Sequence, residues 1–191
     1  MTRVLCRVCA ALSIFLAASA ARAQGSSGVH FGIAGGAIFP TQEARDLYDV
    51  GYHGSVMVNI NAPLSPVGLR VEGTYARADE KDLAGRSGNV QIGAGTLNLV
   101  LGPRTVAVRP YFVGGGGVYR VRFSETSELL SVRETRTQTR FGWSAGGGLS
   151  FPLGPSTTMF LEARYTRIDL KPNPFVRNHF TLVPVTLGFV F

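Results

Sequence analysis

The chain has 191 residues, 45% of them hydrophobic and 16% charged, with 24 glycines, 12 phenylalanines and a formal net charge of +7. A single compact domain is the default at this length. The positive charge is a diffuse excess of arginine with no clustered basic face, which excludes the footprint of a nucleic-acid binder.

The first element in chain order is a predicted signal peptide, residues 1–23. Arg3 and Arg7 make a basic start, an apolar run extends from Val8 to Ala20, and Ala21-Arg22-Ala23 gives a small-residue cleavage pattern. The run is shorter than the about 20 residues of a membrane-spanning helix. Cleavage after Ala23 would remove three arginines and both cysteines, Cys6 and Cys9, leaving a mildly basic domain over residues 24–191 with no thiol or disulfide. That domain contains no apolar run long enough for a transmembrane helix.

Turn signals then cut the chain into eight strand-like segments: 29–39, 51–62, 67–77, 89–102, 108–123, 139–151, 157–168 and 180–191. They are long for soluble strands, whose usual length is about 5–6 residues, and suit tilted membrane strands of about 9–11 residues with rim extensions. The connections alternate strictly. Those at 63–66, 103–107 and 152–156 are tight and proline-rich, whereas 40–50, 78–88, 124–138 and 169–179 are longer and charged. Short turns at one end and long loops at the other match the outer-membrane arrangement, with both termini on the periplasmic side.

Side-chain parity agrees. Leu69, Val71 and Tyr75 alternate with Arg70, Glu72 and Thr74, while Leu161, Ala163 and Tyr165 alternate with Phe160, Glu162, Arg164 and Thr166. Two aromatic belts are expected at the membrane interfaces. One gathers Phe31, Tyr111, Phe151, Phe189 and Phe191; the other, on the loop side, gathers Phe39, Tyr52, Tyr75, Tyr119, Trp143 and Tyr165. A soluble lipocalin-like barrel would also alternate, with its apolar face inward; loop asymmetry and the belts favour the membrane.

The segments "RPYFVGGGGVY" and "FGWSAGGGLSFPLGPSTTMFLEARYT", followed by a last strand ending in phenylalanine, resemble the small outer-membrane β-barrels of the OmpA/OmpX type. The resemblance covers about 29–191 and implies an eight-stranded antiparallel transmembrane β-barrel in the outer membrane, surrounded by lipid and lipopolysaccharide. It also implies that Val185, Leu187, Phe189 and Phe191 form the signal read by the barrel assembly machinery.

Several constellations are candidates for function. Arg70, Glu72, Glu162 and Arg164 fall on the inward parity of two opposite strands and should pair, as lumen filling or as an ion gate. "GGGG" at 114–117 and "GGG" at 146–148 are expected side by side on adjacent strands, making room for bulky interior side chains; no helix follows them, which excludes a phosphate-binding loop. His30, His53 and His179 lack metal-ligand spacing, and no cofactor is predicted. His53 and Ser55 share a parity and suggest a lipid A-modifying His–Ser pair, without an evident acid on a neighbouring outward position. Arg77 and Arg167, outward at the loop-side rim, are candidates for contact with lipopolysaccharide phosphates.

The leading expectation is a non-enzymatic envelope or surface-display protein, with adhesion to a host or surface ligand through loops 40–50 and 124–138. The simplest structural reading of 124–138 itself is a solvated β-hairpin extension. A narrow porin-like channel and a lipid A-modifying enzyme are the alternatives.

Overall fold

The computed structural model describes residues 28–41, 49–61, 65–79, 86–103, 108–127, 132–169 and 179–191. The predicted signal peptide and most of loop 40–50 lie outside them.

Eight strands follow one another along the chain: β1 (Val29–Pro40), β2 (Gly51–Asn61), β3 (Val67–Asp79), β4 (Arg86–Leu101), β5 (Arg109–Ser127), β6 (Val132–Pro152), β7 (Thr158–Asp169) and β8 (His179–Val190). Each pairs antiparallel with the next, and β8 returns to β1 to close the barrel. The closing ladder runs from Gly32 opposite Val190 to Pro40 opposite Leu182. At its base the Phe191 N–H donates to the Phe31 carbonyl at 2.7 Å, and the Phe31 N–H donates back at 3.2 Å. In hydrocarbon an open edge would leave a row of backbone groups unsatisfied, so closure is a condition of stability.

Period-2 alternation places the apolar set outside. Val71, Leu97, Leu99, Leu161 and Leu187 are exposed, while Arg70, Glu72, Asn98, Glu162 and Thr186 on the other parity are buried. This is the inverse of a soluble barrel and what lipid as the outer solvent demands.

Of the residues expected in the belts, Phe31, Phe39, Tyr52, Tyr75, Trp143, Tyr165, Phe189 and Phe191 are exposed on the outer wall and Phe151 is half-buried. Tyr111 and Tyr119 are corrections. At 8% and 7% exposure both point into the lumen, and Phe112 and Val118 occupy the lipid face of β5 instead.

The connection at 124–138, expected as a solvated β-hairpin extension, continues the sheet over its described residues. β5 pairs with β6 through Ser127 opposite Val132, and β4 follows β5 to Arg86 opposite Ser127. β3 stops at Asp79 opposite Asn89, and the β6–β7 ladder begins only at Gly142 opposite Ile168. A three-stranded projection therefore rises beyond its neighbours on the loop side. The glycine runs are on adjacent strands but staggered: Gly114–Gly117 pair with residues 145–142, and Gly146–Gly148 with residues 113–111.

Candidate functional site

The lumen is filled in layers. On the loop side Ile38, Val90, Ile92, Tyr119, Val121, Ile168 and Leu182 form an apolar plug. A smaller apolar group of Met57, Tyr111, Val113 and Phe160 lies nearer the turn side. Between them sit the predicted charges, and the structure brings all four together. β3 and β7 are diametrically opposite in an eight-strand ring, so pairing between them spans the interior.

Arg70 Nη1 donates to Glu162 Oε2 at 2.8 Å and its Nε to Asn59 Oδ1 at 2.8 Å. Arg164 Nη2 donates to Glu72 Oε2 at 2.7 Å, and Arg164 Nε is paired with Glu162 Oε1. The Tyr111 hydroxyl donates to Glu162 Oε2 at 2.8 Å. Glu162 is 1% exposed and accepts from three donors. The guanidinium of Arg70 also lies 5.3 Å from the Phe160 ring centre, within the range of a cation–π contact. Two positive and two negative charges cancel, which is the condition under which such deeply buried ions are tolerated.

Glycine makes this packing feasible. A Cβ on Gly148 would sit 2.5 Å from the Leu161 carbonyl oxygen and 2.7 Å from the Tyr111 ring and hydroxyl, and one on Gly142 would sit 2.8 Å from the Arg167 carbonyl oxygen and 2.9 Å from the Tyr119 ring. The expectation that glycine clears room for interior side chains therefore holds at these two positions.

His53 and Ser55 are inward, at 8% and 7% exposure, because Tyr52, Gly54 and Val56 take the lipid side of β2. The partner of His53 Nε2 is Thr186 Oγ1 at 2.9 Å. Among the described residues, neither His53 Nδ1 nor Ser55 Oγ has a partner, so the two do not form an activated pair. Arg77 and Arg167 are at the outer rim as predicted, each tied to the aspartate two residues on: Arg77 Nη2 to Asp79 Oδ1 at 3.2 Å and Arg167 Nε to Asp169 Oδ1 at 3.4 Å. Sequence reading overlooked Arg120 and Arg122, which share the exposed face of β5 at the same end. Their alternation with buried Val121 was the signal available. Val185, Leu187, Phe189 and Phe191 share the lipid-facing parity of the last strand.

A closed barrel with an apolar wall and an ion-paired polar centre leaves the family to be settled by comparison. The family model "Outer membrane protein beta-barrel domain" matches residues 8–189. The chain belongs to that family. Among solved structures, this outer-membrane barrel is similar in fold to Neisserial surface protein A, at 14% identity and TM-score 0.58 over 87% of this chain and 98% of that one. It is also similar to a major outer membrane protein from Thermus thermophilus, at 16% identity and TM-score 0.56 over 85% and 98%. OprG from Pseudomonas aeruginosa aligns at 17% identity and TM-score 0.53 over 88% and 98%. No curated protein sequence matches the chain. The family and these folds place the protein in the outer membrane.

Proposed function

We propose that this outer-membrane barrel is a non-enzymatic display scaffold: its closed, self-neutralised interior holds up the β4–β5–β6 projection, whose outer end meets surface ligands and mediates adhesion. The observation that carries this reading is the contrast between the two parts. The lumen spends its side chains on two apolar layers around an internally paired ion cluster, an arrangement suited to rigidity rather than passage. The sheet meanwhile continues to Ser127 and Val132, past the end of β3. In the same reading Val185, Leu187, Phe189 and Phe191 present the last strand to the assembly machinery before the barrel closes.

The test replaces residues 125–134 by a two-residue turn and compares cells carrying either form for attachment to epithelial monolayers and for bile-salt resistance. Loss of attachment with unchanged resistance, and with the folded band retained on an unboiled gel, is the expected result. Unchanged attachment with lost resistance would replace display by envelope support.

A further inference from the structure

The outer face of β3–β5, just above the aromatic belt, gathers three outward arginines, a combination that does not recur among the described residues of the rim. Arg77 on β3 is opposite Gln91 on β4, which is opposite Arg122 on β5. One step toward the membrane, Tyr75 is opposite Gly93, and Gly93 is opposite Arg120. Adjacent strands are about 4.8 Å apart, so Arg77 and Arg122 flank β4 at a backbone separation of about 10 Å, and Arg120 and Arg122 follow each other on one face about 7 Å apart.

Between them β4 offers only a neutral amide and a glycine. A Cβ on Gly93 would meet nothing within 4 Å. The result is a shallow saddle with guanidinium groups on both flanks and the exposed Tyr75 ring on its membrane side.

Among the described arginines on the outward parity of the wall, pairing separates Arg120 and Arg122 from Arg77 and Arg167. Arg167, on the far wall, is matched one-to-one by Asp169. Arg77 has Asp79. Among the described residues no acid pairs with Arg120 or Arg122, and both are exposed. The saddle thus carries a net positive charge at the height where the outer leaflet holds its headgroups. Guanidinium forks match phosphate bidentately, and a phosphate there would exchange little water for strong, partly shielded contacts.

We propose that the saddle formed by Arg77, Gln91, Gly93, Arg120 and Arg122 binds the phosphate of an acylated outer-leaflet lipid, with Arg120 and Arg122 as the principal contacts. The headgroup settles over Gly93 and the acyl chains descend the apolar wall beneath it. The site is independent of the display reading, since a barrel whose projection binds nothing would still hold the lipid.

The probe is bisphosphorylated lipid A, titrated onto the purified, detergent-folded protein and read by native mass spectrometry. The wild type should retain it over the dephosphorylated form. The R120Q/R122Q double variant should weaken retention about tenfold or more, two charged hydrogen-bonding groups being lost. Gly93→Phe, which fills the saddle and leaves every charge in place, should weaken it as well, whereas Arg167→Gln should not. The unboiled gel band confirms folding of each variant. Wild-type retention by both R120Q/R122Q and Gly93→Phe would overturn the site. So would an equal loss in Arg167→Gln, and displacement of the lipid by millimolar inorganic phosphate would overturn its assignment to a lipid.

Discussion

Arg164 on β7 reaches across the barrel to Glu72 on β3, Nη2 to Oε2 at 2.7 Å, while its Nε engages Glu162 on its own strand. Since Glu162 also accepts from Arg70 on β3, the two opposite walls are tied by a chain of alternating charge through the centre of the molecule. Removing one member strands its partners in a region where each is 10% exposed or less at the side chain. Glu162→Gln leaves two buried guanidinium groups and the single carboxylate of Glu72, with Arg70 without its acid. It is expected to lower unfolding free energy by about 3–5 kcal/mol, measured as a lower temperature or urea concentration for loss of the fast-migrating unboiled band.

The parity of most strands was legible in the sequence because lipid and lumen impose opposite chemistry on successive residues. Arg70-Val71-Glu72 and Glu162-Ala163-Arg164 gave both faces of two strands at once, and hence the ion cluster. β5 defeated that reading. In "PYFVGGGGVYR" the four glycines erase the alternation, and Tyr111 and Phe112 are adjacent aromatics on opposite faces. Only the register, which sets Tyr111 against Gly148, shows which ring has room inside. His53 was read beside outward positions for a related reason, since Gly54 separates it from Ser55 without marking a face and no charge marks the inward face of β2. The β5–β6 extension was legible as a solvated β-hairpin, and the structure carries its ladder to Ser127 opposite Val132; its exact ends were not, because a polar, threonine-rich stretch reads equally as loop or as strand in water.

Glycine substitutions separate these roles. Gly148→Ala drives a methyl into the Leu161 carbonyl as well as the Tyr111 ring and should cost about 1–3 kcal/mol through overpacking, weakening the Tyr111–Glu162 hydrogen bond with it. Gly95→Ala, on the lipid face of β4 where nothing lies within 4 Å, should be neutral or stabilising by up to about 1 kcal/mol. Paired urea titrations in one detergent check the difference in sign.

The lipid face can be tested with a single charge. Leu161 is 46% exposed between Phe160 and Glu162, both buried. Leu161→Arg should cost about 2–4 kcal/mol if it lies near the bilayer midplane. The same substitution in a soluble barrel with this side wet would cost almost nothing. Unfolding from lipid vesicles gives the value.

Conductance offers a fourth check. The apolar layer of Val90, Val121, Ile168 and Leu182 closes the lumen on the loop side of the ion cluster. Wild-type protein in planar bilayers should therefore give no discrete current steps, and Glu72→Ala should remain silent because that layer is untouched. Regular steps from the wild type would favour the channel reading.

The most direct measurement of the account as a whole is cysteine accessibility on intact cells. The only native cysteines are Cys6 and Cys9, so single cysteines placed elsewhere report cleanly once the predicted signal is cleaved. Thr137→Cys lies on β6 at the projecting end, opposite Arg122, and Ser156→Cys lies in the β6–β7 turn. A membrane-impermeant maleimide should label Thr137→Cys on whole cells, and Ser156→Cys only after the outer membrane is opened. Labelling of Ser156→Cys on intact cells with protection of Thr137→Cys would contradict an outer-membrane barrel that presents its β4–β5–β6 projection to the outside.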